Sequence, residues 1–155
     1  MSTVEHKLEF FEVGDKTALV CTDSAVGEVV CEMLRDLGYK FHTADSSELA
    51  IERTRYTPYD IIVIQETFAG STLKSNPVLN YFSVLPMAHR RTSMLVLIGP
   101  TFKTLDAMQA LAQSVQLVVN NVDLPNLTAV LKKSRAEFET TYKIYKDVVA
   151  SMGER

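Results

Sequence analysis

Five short apolar runs set the limits on what this chain can fold into. They fall at residues 17–22, 39–44, 60–64, 94–98 and 117–119, with helix-patterned sequence between them. Runs of this length suit strands, and runs apolar at nearly every position suit strands buried on both faces. Such strands, alternating with helices through short connections, build a parallel sheet covered by helices on both sides. The expectation is one α/β domain, doubly wound, with five parallel strands in the order 2-1-3-4-5. In that topology the ligand crevice lies beyond the carboxyl ends of the strands.

The intervening segments carry their own start and stop signals. Asp23 or Ser24 can cap a first helix whose apolar face is Val26, Val29, Val30, Met33, Leu34 and Leu37, and Gly38 ends it. Asp45 or Ser46 opens a second helix, with Glu48 three residues after Asp45 as in a capping box, and Pro58 closes it. Asn76 caps a third, with Pro77 in the favoured first position and Val78, Leu79, Phe82 and Leu85 on its apolar face. A fourth helix is expected over 105–112, and a last one from near Pro125. Residues 1–16 form a lead-in, 17–131 the domain, and 132–155 an extension of the last helix.

Composition excludes several classes. A chain of 155 residues with 46% hydrophobic and 23% charged residues suits one globular domain with a substantial core. No apolar run is long enough to cross a bilayer, and residues 1–7 are too polar for a signal peptide, so a cytoplasmic protein is expected. A formal charge of -3, with no basic stripe or helix-turn-helix pattern, gives no reason to expect nucleic-acid binding. Cys21 falls in a strand and Cys31 on a helix face, both as small core residues. His6, His42 and His89 share no ligand spacing, so no metal site and no cofactor is expected.

The strand ending at Ile64 is followed by Gln65, and the first helix ends in Gly38-Tyr39. On this pattern, from about residue 17 to 131, the chain resembles the receiver domain of bacterial response regulators (the CheY-like fold). That resemblance implies an aspartate that accepts a phosphoryl group at the tip of the third strand, where this chain has Gln65. The acidic pair that holds a divalent cation falls on Cys21 and Thr22, and Asp23 takes the next, less critical position. The hydroxyl residue ending the fourth strand falls on Ile98 or Gly99. The lysine ending the fifth falls on Asn120, with Asn121 in place of its proline and Leu117 in place of the aromatic switch residue. The methionine-proline and aspartate-glycine signature is missing from residues 66–75. An amide is a poor nucleophile, and magnesium needs hard oxygen ligands. The resemblance therefore implies a pseudo-receiver that keeps the fold without aspartyl-phosphate chemistry.

Other candidates are weaker. Asp23 and Glu66 both fall near the carboxyl edge and could bind a cation loosely, although a helix cap and a solvated loop acid explain them more simply. Thr22-Asp23-Ser24, with Gly27 following, is similar to the phosphate loop of flavodoxins, which uses hydroxyls and amides at a helix start. That leaves a small-molecule domain, binding a nucleotide or flavin in the crevice, as the alternative function. His89-Arg90-Arg91 is a small basic cluster best read as a solvated turn.

The last helix carries the strongest sign of an interaction. Leu127, Leu131, Ser134, Phe138, Thr141, Tyr145, Val148 and Met152 follow one another in steps of four and three, and Tyr142 and Val149 broaden the stripe. Past Leu131 this stripe runs beyond the sheet. It requires either a partner, most simply a second copy of the chain, or fold-back onto Phe10 and Phe11. The function expected is that of a stand-alone signalling adaptor acting on a protein partner, homodimeric through Phe138, Thr141, Tyr142, Tyr145, Val148, Val149 and Met152, and not an enzyme.

Overall fold

A computed structural model describes residues 10–72, 75–85 and 93–153. The strands are β1 (Thr17–Cys21), β2 (Lys40–Thr43), β3 (Ile61–Gln65), β4 (Met94–Ile98) and β5 (Leu117–Val119). They form one sheet in the order β2-β1-β3-β4-β5, and every pairing is parallel. All residues of β1, β3, β4 and β5 are buried, as continuous apolar runs require. Only β2, at the edge, has exposed and half-buried positions.

Among the described residues five α-helices cover the two faces: α1 (Ser24–Asp36), α2 (Ser47–Tyr56), α3 (Pro77–Ser83), α4 (Ala107–Gln113) and α5 (Leu127–Gly153). Alternation along each strand divides the core. Ala18, Val20, Ile61, Val63, Val96 and Ile98 pack under α1 and α5 with Val30, Leu34, Leu127 and Leu131. Leu19, Cys21, Ile62, Ile64, Leu95 and Leu97 pack on the other face with Ala50, Val78, Phe82 and Ala110.

The caps follow local chemistry. Asp23 accepts from the Val26 amide at the start of α1, and Asn76 from Val78 and Leu79 at the start of α3. Gly38, at φ 83°, closes α1 through the left-handed region. Of the two expected caps for α2, Ser46 fills the place, with its hydroxyl accepting from Leu49 N–H. Other boundaries differ from expectation. The fourth helix starts at Ala107 because Leu105 sits at φ 67°, which no right-handed helix admits. Pro125 lies in a 3-10 turn, Asn121–Asn126, and α5 begins after it. Val29, expected on the buried face of α1, is 40% exposed.

The lead-in corrects one expectation. Phe11 stacks on His42 with centroids 4.1 Å apart, and meets the edge of Tyr59 at 6.1 Å. It therefore packs on the face of α2 and α3, opposite the face that carries α5. Phe10 is 80% exposed. The stripe of α5 does not fold back onto either ring.

Candidate functional site

The carboxyl ends of the strands bring Cys21, Gln65, Ile98 and Val119 to one edge of the sheet, since Cys21 pairs with Ile64, Gln65 with Ile98, and Ile98 with Val119. Gln65 is the last residue of β3 and is 5% exposed. Its Oε1 accepts from the Asp23 amide at 2.8 Å, and its Nε2 donates to Asp23 Oδ2 at 3.0 Å. Asp23 Oδ1 meanwhile accepts from Val26 N–H at 2.9 Å. A side-chain amide carries both a donor and an acceptor, so it can clasp the backbone and the carboxylate of one residue together. A carboxylate at position 65 would have only acceptors to offer and would face a second anion.

The positions of the expected acidic pair, Cys21 and Thr22, offer no hard anionic oxygen. Cys21 is fully buried in the core beside Leu19 and Ile64. Burial pushes its thiol up to about 12, against a weaker pull from Arg53, so it is neutral. Thr22 donates its hydroxyl to the Asp23 carbonyl at 2.9 Å. The divalent cation implied by the resemblance therefore does not fit: at the positions it would use, one candidate ligand is a buried thiol, one a hydroxyl, and the Asp23 carboxylate is already bound through both oxygens. Among the described residues, no three His, Cys, Asp or Glu side chains gather into a possible metal cluster.

Glu66 was expected as a solvated loop acid, and the structure corrects this. It is 5% exposed. Its Oε1 accepts from the Thr101 hydroxyl at 2.9 Å and from the Thr101 amide at 3.3 Å. The side chain lies across Gly99. A Cβ added there would stand 1.9 Å from Glu66 Oε1 and 2.5 Å from its carboxyl carbon. The absence of a side chain at Gly99 is what admits the carboxylate. Asn76 completes the arrangement, donating from Nδ2 to the Glu66 carbonyl at 3.5 Å. A glycine directly after an apolar strand was the one sequence signal for this contact, and it does not name its partner.

Ile98 is fully buried beneath α1 and α5, and Leu117 lies in the same cluster. Asn120 does not meet Gln65. Its Nδ2 donates to the carbonyls of Phe102 at 2.7 Å and Pro100 at 3.3 Å, and its Oδ1 accepts from Val122 N–H at 3.0 Å. It thus ties the β4–α4 loop to the turn after β5. His89-Arg90-Arg91 lies outside the described residues.

On α5, Leu127, Leu131 and Ser134 are buried against the sheet, and Phe138 packs half-buried at its border. From there the rings of Phe138, Tyr142 and Tyr145 form a ladder, with centroids 6.1 and 6.2 Å apart. Thr141 is exposed, and Ile144, Val148, Val149 and Met152 are exposed apolar residues. The 27 residues of α5 span about 40 Å, at least twice the length of the five-residue strands below it.

The sheet order and the flanking helices are those of the receiver fold, and solved structures place the chain there. A response-regulator receiver domain from Methylobacillus flagellatus is 22% identical, with a TM-score of 0.58 over 78% of this chain and 99% of that one. The receiver domain of a sensor histidine kinase from Pseudomonas aeruginosa, solved with a magnesium ion in its active-site cleft, is 17% identical, with a TM-score of 0.59 over 79% and 99%. A fusion carrying the trimeric coiled-coil segment of yeast Spc42 is 16% identical, with a TM-score of 0.63 over 94% and 93%. No protein-family profile matches the chain, and no curated protein does.

Proposed function

We propose that this chain is a receiver-fold adaptor that takes up no phosphoryl group and acts by protein contact. The observation that carries the reading is the clasp between Gln65 and Asp23, which occupies the position of the acceptor and the nearest carboxylate with one closed pair of hydrogen bonds. The kinase receiver whose cleft coordinates magnesium provides the contrast. At the positions such a cleft would use, this chain has a thiol, a hydroxyl and an amide. The chain then has no catalytic role of its own and works in the cytoplasm, its output being occupancy of another signalling protein. Among the described residues no helix is long and apolar enough to cross a membrane.

The extension of α5 is the surface for pairing with a second copy. Its apolar ladder continues where the sheet has ended, and a two-fold partner would bury the same stripe from the other side. One neighbour, covering 94% of this chain, is a fusion with a trimeric coiled-coil segment, which fits a long terminal helix of this kind. The nucleotide or flavin alternative is less well supported. The open space beside Thr22, Asp23 and Ser24 is rimmed by Glu28, Glu32 and Asp45, which repel phosphate.

Two measurements test the proposal. Fluorine NMR with beryllofluoride and magnesium is expected to show no bound species, and a stable one-to-one complex would overturn phosphorylation incompetence. Sedimentation equilibrium is expected to give a dimer for the native chain and a folded monomer for Tyr145→Asp with Val149→Asp. Phe138 is left intact in that variant because it also packs on the core. A native chain that is monomeric at high micromolar concentration would refute the pairing.

A further inference from the structure

A groove of about 660 Å³ runs between α1 and the edge strand β2 and opens at the carboxyl end of the sheet. Its floor is apolar: Val20, Cys31 and Ala44 are buried there, and Phe41 and Leu49 are half-buried. Its rim is acidic. Glu28 and Glu32 stand on the α1 bank, and Asp45 stands on the opposite bank between β2 and α2. All three are exposed, and no ion pair joins any of them among the described residues. Glu28 and Glu32 are four residues apart on one helix, so their like charges meet on the same face and disfavour each other.

One cation already uses this surface. The Arg35 guanidinium sits over the Phe41 ring, 5.1 Å from its centroid. That is the geometry in which a basic side chain gains from an aromatic floor. The groove is thus an apolar trough whose aromatic face carries the Arg35 guanidinium, and its banks bear the three carboxylates of Glu28, Glu32 and Asp45 against that one cation.

We propose that this groove docks a basic, amphipathic peptide segment of a protein partner, with apolar side chains on Val20, Phe41 and Leu49 and lysine or arginine against Glu28, Glu32 and Asp45. This rests on reading the chain as a protein-contact module and names the chemistry of its partner. The site is separate from the stripe on α5, so one copy could pair through the helix and dock its partner through the groove.

The test is a titration of the isotope-labelled full chain with a short leucine-lysine peptide, followed by amide NMR, with a leucine-glutamate peptide as the control. The lysine peptide is expected to shift amides of residues 22–35 and 41–49, more strongly at low salt, and the glutamate peptide to shift none. Glu28→Lys with Glu32→Lys should weaken binding by roughly tenfold or more, because like charges then face each other across the contact. Asp45→Lys should weaken it from the other bank, while Glu137→Lys, on exposed α5, should leave it unchanged. Shifts scattered over the surface, or equal weakening by Glu137→Lys, would overturn the proposal. So would concentration-dependent shifts of the groove amides without peptide, which would make the occupant a second copy. A monomer that binds the peptide in the groove refutes pairing through α5 and leaves the docking site standing. A dimer that does not bind it refutes the docking site alone.

Discussion

Gln65 and Asp23 exchange two hydrogen bonds, one of them to a carboxylate, so removing the amide costs more than one neutral contact would. Gln65→Ala is expected to destabilise the fold by about 1–3 kcal/mol, measured as a shift in urea midpoint at constant slope. Gln65→Asp should be at least as damaging at neutral pH, because the Asp23 carboxylate loses a donor and gains an anion. An unchanged midpoint for both would mean that the clasp contributes nothing. Glu66 and Gly99 allow a sharper test. Gly99→Ala drives a methyl group into the Glu66 side chain and should cost about 1–3 kcal/mol as overpacking. In a Glu66→Ala background the same substitution should cost little, so the two changes are strongly non-additive. Simple additivity in that cycle would show that the carboxylate does not lie over Gly99 in solution.

At the scale of elements, α5 is two structures in one helix. Leu127, Leu131 and Ser134 belong to the core, whereas Ile144, Val148, Val149 and Met152 are largely exposed. A chain ending at Thr140 is therefore expected to keep its unfolding midpoint at low concentration and to lose all self-association in sedimentation. A large fall in midpoint would place the extension in the core. The same contrast explains what the sequence made legible. Strands and most helices declared themselves because continuous apolar runs and caps are local signals, as at residues 61–64 and at Asn76. The heptad stripe also showed, since it depends on spacing alone. The contacts at the crevice are long-range. Gln65 meets Asp23 across 42 residues, and Glu66 meets Thr101 across 35, so neither could be derived from neighbours in the chain. Leu105 fell outside its expected helix because its positive φ is imposed where its N–H bonds to the Val118 carbonyl.

The whole molecule hides two weak acids on the face covered by α2, α3 and α4. Burial pushes the Cys21 thiol from its ordinary 9.0 up to about 12, and the Tyr59 phenol from 10.0 up to about 12. Both are raised in the folded state, so the unfolded chain releases these protons first. Stability is then fully present below about pH 9 and is lost progressively as the pH rises toward 12. Urea midpoints should be level from pH 7 to 8.5 and fall above 9. Burial also raises the Cys31 thiol from the same ordinary value, so Cys21→Ala should make the fall above pH 9 shallower without moving its onset. An equally steep fall in that variant would mean that the Cys21 thiol is not held neutral by the fold. Tyr59 also links this face to the lead-in, since its hydroxyl lies 2.7 Å from His42 Nδ1 and its ring meets Phe11.

The way Glu66 lies across Gly99 has a consequence for the mutational paths open to this sequence. A hydroxyl residue at position 99 requires a Cβ, which collides with Glu66. An aspartate at position 65 sets two carboxylates against each other unless Asp23 changes as well. Single changes at these positions are therefore expected to cost more stability than the same changes made together, so substitutions at positions 23, 65, 66 and 99 are expected to be non-additive.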